Sequence, residues 1–265
     1  NVYDYVVVGA GACGTVIASK LARALPTKQI LLLEAGKENR TKNMSDAMRR
    51  PNPMTLWGDP TITFDDLNVK RSTCSAPRSY PVGKIVGGGS AINGMGAIRG
   101  HPDDFKEWEI AYGCGEDWGW ERVLNAYKAM ETDPLSSDRH DIHGNAGPLP
   151  IHRIPYEAWG PVSKCMRDAL CLGENAAMIW SYDLNDPEST GVSPFPMNME
   201  LQEDGTLRRV STNDGYLDPA REACGNMTVL PNSLVDKVIF NSEASRATGV
   251  QLHDGTRYFA AVEVV

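Results

Sequence analysis

No stretch of the 265 residues approaches the roughly eighteen consecutive apolar positions that a membrane-crossing helix needs. Runs of five or more Lys or Arg are also missing, and 26 basic against 34 acidic residues leave a net charge of −8. Such a chain repels phosphate backbones, so nucleic acid is not an expected partner. The six cysteines (Cys13, Cys74, Cys114, Cys165, Cys171, Cys224) contain no CxxC pair. That argues against zinc and against a disulfide scaffold, and they read as ordinary buried thiols. No basic start and apolar stretch precede the run that opens Asn1-Val2-Tyr3-Asp4, so a cytoplasmic location is expected. Secretion is the alternative kept open by the sequons at Asn43-Met44-Ser45 and Asn226-Met227-Thr228. With 25 Gly, 17 Pro and 23% charged residues, the chain is too balanced to be disordered or collagenous. One large domain or two modest ones remain.

The first forty residues carry the strongest pattern. Tyr5-Val6-Val7-Val8 is a short β-branched run of the kind buried on both faces of a parallel sheet. Gly9-Ala10-Gly11-Ala12-Cys13-Gly14 follows, and then Ile17, Leu21, Ala24 and Leu25 recur at helical spacing until Pro26 stops the helix. Gln29 to Leu33 forms a second apolar strand ending in Glu34. In this βαβ unit Gly9 permits a tight turn, Gly11 lets the backbone approach a pyrophosphate, and Gly14 lets the helix pack closely. The helix N-terminus offers unpaired N–H groups to phosphates. Glu34, twenty residues after Gly14, suits the two ribose hydroxyls of an adenosine and would repel a 2′-phosphate. NADP is disfavoured; NAD and FAD fit equally well.

Residues 83–100 then read Gly-Lys-Ile-Val-Gly-Gly-Gly-Ser-Ala-Ile-Asn-Gly-Met-Gly-Ala-Ile-Arg-Gly, more exposed backbone than a structural loop requires. Together with the βαβ unit, this run closely resembles the first signature of the glucose–methanol–choline (GMC) family of FAD-dependent oxidoreductases. The resemblance continues through His101-Pro102-Asp103-Asp104-Phe105 and Trp108, through His143-Gly144-Asn145-Ala146-Gly147-Pro148-Leu149-Pro150-Ile151, and through Ser211-Thr212-Asn213 to Tyr216-Leu217-Asp218-Pro219. Asp183-Leu184-Asn185 and Gly191-Val192-Ser193 are similar to bacterial alcohol-oxidising members.

The resemblance implies an α/β fold: a doubly wound, Rossmann-like FAD-binding domain from residues 1–105 and 208–265, with an incomplete substrate domain, 106–207, inserted between. It implies that Gly9, Gly11, Ala12, Cys13 and Gly14 border the pyrophosphate, that Glu34 with Ala35 holds the ribose, and that Gly88, Gly89, Ser90, Asn93, Gly94, Met95 and Gly96 surround the flavin. Val235 takes the adenine-contacting position. Ile92 stands where some members carry a flavin-linking histidine, so FAD is expected to be held non-covalently. The implied activity is oxidation of an alcohol by hydride transfer to flavin N5, with oxygen or another electron acceptor; an NAD-linked dehydrogenase and a non-redox flavin lyase are the alternatives. None of His101, His140, His143, His152 or His253 matches the family's catalytic histidine, so no catalytic residue is assigned. The apolar run 258–265 is expected to lie as an open strand, with the second half of the family pattern following as a continuation or a separate chain.

Two lesser patterns remain. His140 and His143 form an HxxH beside Asp138 and Asp141, but Pro134 and the Gly144/Gly147/Pro148 group favour a loop, and no metal is expected. Trp118 and Trp120, near Trp108, read as a packed helix start, with an aromatic substrate wall as the alternative.

Overall fold

A computed structural model of the chain describes residues 1–50, 52–64, 66–72, 75–172 and 176–265; Cys74 lies outside them. The described residues form two compact units, one from Asn1–Gly94 and Arg208–Val265, the other from Met95–Leu207. The stretch 95–105, expected with the first domain, therefore belongs to the second unit. It is tied there by Asn198 N donating to Met95 O, Ala97 N to Pro196 O, and Asn185 Nδ2 to Ala97 O.

The first unit is built on a six-stranded mixed sheet. Its strands are β1 (Val2–Val8), β2 (Ile30–Leu33), β3 (Met227–Leu230), β4 (Val235–Phe240), β5 (Ala247–Leu252) and β6 (Arg257–Val264), in the spatial order β3-β2-β1-β6-β5-β4. β3, β2, β1 and β6 run parallel, whereas β5 joins β6 and β4 antiparallel. The strand period of two sends Val7, Ile30 and Leu32 to one face and Val6, Leu31 and Leu33 to the other, and all six are buried. This is the two-sided burial expected of the valine-rich first strand. The run 258–265 is not an unpaired strand: β6 lies between β1 and β5, paired with β1 from Phe259 to Val264 and with β5 at Arg257–Phe259.

The first helix, α1 (Ala12–Ala24), stops before Pro26 but turns a different face inward than its apolar spacing suggested. Gly14, Thr15, Ala18, Ser19 and Ala22 are buried, while Ile17 is exposed. Small residues let the helix axis approach the sheet closely, and the larger side chains stay at its flank. The short helix α2 (Gly88–Ile92) carries the second glycine run. Its Ala91 and Ile92 pack with Met44, Met48, Leu56, Ile62 and Ile85.

The second unit contains α3 (Pro102–Ile110), α4 (Trp120–Met130) and α5 (Pro161–Cys171), linked by short strands and turns. Phe105 stacks on Trp120 at 5.8 Å and meets Trp108 edge-on at 5.7 Å, and Trp108 contacts Trp118 at 5.3 Å. The tryptophans thus pack the α3–α4 junction.

Buried thiols are not what the structure shows. Cys13, Cys114 and Cys165 are exposed, Cys171 and Cys224 are half-buried, and all five are free. Cys13 sits in the first turn of α1 and Cys165 on the solvent side of α5, where neither helix turns its packed face. The Asn226 sequon is structurally spoken for: its buried Nδ2 donates to the carbonyls of Ala22, Leu25 and Lys28. Among the described residues no helix is long and apolar enough to cross a membrane.

Candidate functional site

In the first unit the two glycine runs meet. Gly9 adopts φ +90°, which a Cβ would strain, and its N–H donates to Leu33 O at 2.8 Å, turning the chain sharply at the end of β1. A Cβ on Gly14 would lie 1.9 Å from Gly9 O, so only glycine lets α1 start against this turn. Gly87 N donates to Ala10 O at 2.7 Å, and a Cβ on Gly88 would lie 2.6 Å from Gly11 Cα. Gly9, Gly11, Gly89 and Gly94, by contrast, have nothing within 4 Å of where a Cβ would stand. The result is a backbone-lined cradle, tight behind and open in front. Ala12 and Cys13 are exposed at the start of α1, whose Gly11 cap contributes no side chain, so the first turn is not closed off by a capping group.

Glu34 is the hinge between this turn and the neighbouring strand. Its Oε2 accepts from Ala10 N at 2.9 Å and its Oε1 from Gly36 N at 2.8 Å, while the residue is only 6% exposed. Burial pushes its carboxyl above the ordinary range, against the opposing pull of the Gly36, Ala10 and Ala35 N–H groups. Each oxygen keeps a further acceptor direction. Ser233 N donates to Glu34 O and Asn232 N to Gly36 O, both at 2.7 Å, which brings the segment leading into Val235 alongside Glu34 and half-buried Ala35.

A hydroxyl chain ties α1, α2 and the returning segment together. Thr15 Oγ1 lies 2.8 Å from Thr212 Oγ1, which lies 3.0 Å from Ser90 Oγ. Next to it Arg209 Nη1 donates to Asn93 Oδ1 at 2.9 Å. Arg209 is fully buried, and burial pulls its guanidinium down to about 10 against the opposing field of Asp214. Thr15 and Arg209 do not stand out in the sequence, and Thr212 enters it only within the Ser211-Thr212-Asn213 resemblance. A buried arginine leaves no periodic trace, and a serine or threonine becomes part of a site only through neighbours distant in the chain.

Met95 and Gly96 lie in the second unit. Met95 is buried with φ +61°, a strained conformation for a side-chain-bearing residue, and Gly96 packs beneath Phe195. Phe195 also lines a hollow of about 350 Å³ with Ile154, Trp159, Ser163, Ser193 and Met197.

The second unit also encloses a charge cluster around His143, whose partners are not the Asp138 and Asp141 that flank the HxxH in sequence. His143 Nδ1 lies 2.9 Å from Glu131 Oε1 and 3.3 Å from Asp133 Oδ2, and its Nε2 lies 2.8 Å from Asp183 Oδ2. A neutral imidazole could donate to only one side, so this geometry requires the imidazolium. Burial opposes that charge, but the carboxylates of Asp183, Glu131 and Asp133 outweigh it and push the pKa up to about 9. Arg99 pairs with Glu131 at 2.6 Å and Arg153 with Asp133 at 2.8 Å, giving three cations against three carboxylates. Glu131, Asp133 and His143 are close enough to hold a metal ion, but the arginines already neutralise the donor set. His140, the other half of the HxxH, is not among these donors. The HGxxGP pattern has a steric cause: a Cβ on Gly144 would lie 1.8 Å from Lys128 O, and one on Gly147 would lie 2.2 Å from Glu131 N. Among the remaining histidines, His101 caps α3, accepting from Asp103 N, and His253 is exposed.

The model of the family described as GMC oxidoreductase matches residues 3–264. The chain is 31% identical over 272 residues to 5-(hydroxymethyl)furfural oxidase of Methylovorus sp. (strain MP688), covering 100% of this chain and 49% of that protein. It is 32% identical over 259 residues to oxygen-dependent choline dehydrogenase of Yersinia pestis (strain Pestoides F), covering 96% and 42%. Among solved structures, pyridoxine 4-oxidase from Mesorbium loti superposes with a TM-score of 0.81 at 29% identity, over 97% of this chain and 48% of that one. Aspergillus oryzae formate oxidase gives 0.82 at 22% identity, over 100% and 45%, a likeness of fold alone. The chain thus spans about half the length of the relatives it matches.

Proposed function

The chain belongs to the GMC oxidoreductase family, and on that premise we propose that it binds FAD non-covalently and serves in the oxidation of an alcohol. The observation that carries this reading is the meeting of the two glycine runs, tight where Gly88 crosses Gly11 and open in front of Gly9, Gly11, Gly89 and Gly94. That cradle fits a flat, diphosphate-bearing group better than a side-chain-lined pocket would. In this reading the backbone of 9–14 and the first turn of α1 hold the diphosphate, Glu34 and Ala35 hold the ribose, Val235 meets the adenine, and Gly88, Gly89, Ser90, Asn93 and Gly94 hold the flavin. Ile92 offers no nucleophile and is buried in its own apolar cluster, which favours a non-covalent cofactor. When bound, FAD supplies the two-electron chemistry by accepting hydride at N5.

The proton of the alcohol goes to a base outside the five histidines of this chain. His143 is spent on carboxylates and His101 on a helix cap. We propose that turnover requires the remaining family length, as a continuation or a separate chain, and that oxygen or another acceptor reoxidises the cofactor. The 5-(hydroxymethyl)furfural, pyridoxine and choline named for the relatives make a small alcohol the expected substrate. Neither an NAD-linked dehydrogenase nor a non-redox lyase draws support from these similarities.

The purified protein is expected to show a flavin absorbance spectrum, to release FAD into the supernatant on acid precipitation, and, at full family length, to bleach anaerobically with an alcohol. A colourless protein unchanged by added FAD overturns the cofactor reading, and flavin retained in the precipitate overturns the non-covalent one. Glu34→Ala is expected to weaken FAD binding by about 1.5–3 kcal/mol, the value of a hydrogen bond to a charged group. Glu34→Gln, which keeps one acceptor oxygen, should lose less. Equal FAD affinity of wild type and Glu34→Ala in a fluorescence titration removes the ribose role.

A further inference from the structure

Among the described residues, the first unit buries one cation, Arg209, without an ion-pair partner. Arg209 is fully enclosed; its Nη1 donates to Asn93 Oδ1 at 2.9 Å and reaches Ser90 O at 3.4 Å, while Nε and Nη2 meet no acceptor among the described residues. Asp214, whose field favours the charged form, is engaged elsewhere. It accepts from Ser211 N at 2.7 Å, Ser211 Oγ at 2.6 Å and Thr41 Oγ1 at 2.8 Å. The other strongly buried arginines contrast with this arrangement, for Arg99 and Arg153 pair with Glu131 and Asp133, and Arg221 pairs with Asp218 and Glu38. A buried cation without a counter-charge is costly, and the cost is offset where a negative charge arrives from outside the chain.

Arg209 grips the C-terminal end of α2, the helix that follows the Gly88–Gly11 crossing. We propose that Arg209 is a positioning residue that fixes Asn93 and directs a buried positive charge at the flavin end of the cradle, stabilising the negative charge that bound flavin acquires on reduction. This rests on the FAD reading above. In that reaction the alcohol carbon delivers a hydride to oxidised flavin, the hydroxyl proton leaves to a base, and a carbonyl forms. The flavin then carries two more electrons, one more hydrogen and one net negative charge. Oxygen recovers the two electrons with that hydrogen and one proton, giving hydrogen peroxide. A charge held in a buried interior acts on the developing anion far more strongly than a solvent-exposed one. Because Arg209 is fully enclosed, it acts through its field and through Asn93.

The test uses the protein at full family length, loaded with FAD, as wild type, Arg209→Gln and Arg209→Lys. The readouts are the flavin midpoint potential and the affinity for sulfite, which adds to flavin and leaves negative charge on the ring. FAD affinity and melting temperature are measured alongside. Arg209→Gln can still donate to Asn93 but carries no charge, so sulfite affinity is expected to fall about tenfold and the potential to shift negative with FAD retained. Arg209→Lys keeps the charge and should stay within about threefold of wild type. Sulfite affinity and potential unchanged in Arg209→Gln, or lowered equally in both variants, overturn the proposal. If Arg209→Gln does not fold, Arg209→Lys decides by itself, since loss of sulfite affinity with the charge retained is incompatible with a field effect. A wild type that takes up no FAD overturns the cofactor reading instead, a result distinct from either.

Discussion

His143→Ala is expected to destabilise the protein by about 3–5 kcal/mol, the range for removing one member of a buried ion network. The substitution removes the cation shared by Glu131 and Asp183, leaving Glu131 only Arg99 and Gly144 N, and Asp183 only Arg153 and Asn185 N, at positions where the residues are 3% and 6% exposed. His143→Gln should recover little, because one amide cannot donate in two opposite directions. The same geometry dictates a pH dependence. The folded pKa of about 9 lies above the unfolded value of 6.5, so the folded state binds a proton that the unfolded state has lost between these values. The stabilisation is complete below pH 6.5 and disappears as pH rises through 9, at about 1.4 kcal/mol per pH unit within that window. Glu131 and Asp183 behave oppositely. Burial raises their pKa values, but His143 and the further partners of each lower them more, so their contribution is present above the ordinary carboxylate range and lost as pH falls through the depressed values. Urea unfolding midpoints from pH 4 to 10 should trace a plateau falling at both ends in wild type and lack the alkaline fall in His143→Gln. A wild type equally stable at pH 6 and pH 10 contradicts the imidazolium assignment.

The parts of the fold that were legible in the sequence are those specified by near neighbours. Val6-Val7-Val8, the Gly9–Gly14 turn, Pro26 and the Leu31–Leu33 run each act within a few residues, so strand, turn, helix stop and second strand follow from local chemistry. The inward face of α1 did not follow. Apolar spacing marked Ile17, whereas close approach to the sheet selects the small residues Gly14, Ala18 and Ala22. The terminal strand read as an open edge because its partners are β1, more than 250 residues earlier, and β5. The candidate site was legible as two glycine runs, but that they touch at Gly11 and Gly88 is a property of tertiary structure. The contacts of Thr15, Thr212 and Arg209, and that of His143 with Asp183, were hidden for the same reason, since they join residues 40 to 197 positions apart, such as His143 with Asp183 and Thr15 with Thr212.

Gly88→Ala and Gly89→Ala are expected to fail in different ways, although the residues are adjacent. Gly88 has φ +50° and its added Cβ would lie 2.6 Å from the Gly11 backbone. The left-handed conformation alone costs about 1–2 kcal/mol for alanine, and the clash can be relieved only by moving Gly11, the residue that caps α1. Gly88→Ala should therefore lower the melting temperature and abolish FAD retention together. Gly89 lies inside α2 at an ordinary φ, and a Cβ there meets nothing within 4 Å. Alanine is the better helix former by about 0.5–1 kcal/mol, so Gly89→Ala should be as stable as wild type or slightly more so without ligand. The methyl group nevertheless projects into the open side of the cradle, where a flat ring has to approach the backbone. FAD affinity is expected to fall at least about tenfold, or about 1.4 kcal/mol, with the apoprotein intact. Thermal melting of the apoproteins and fluorescence titration with FAD separate the two effects. Wild-type FAD affinity in Gly89→Ala would show that the open space in front of the second glycine run is not where the cofactor sits.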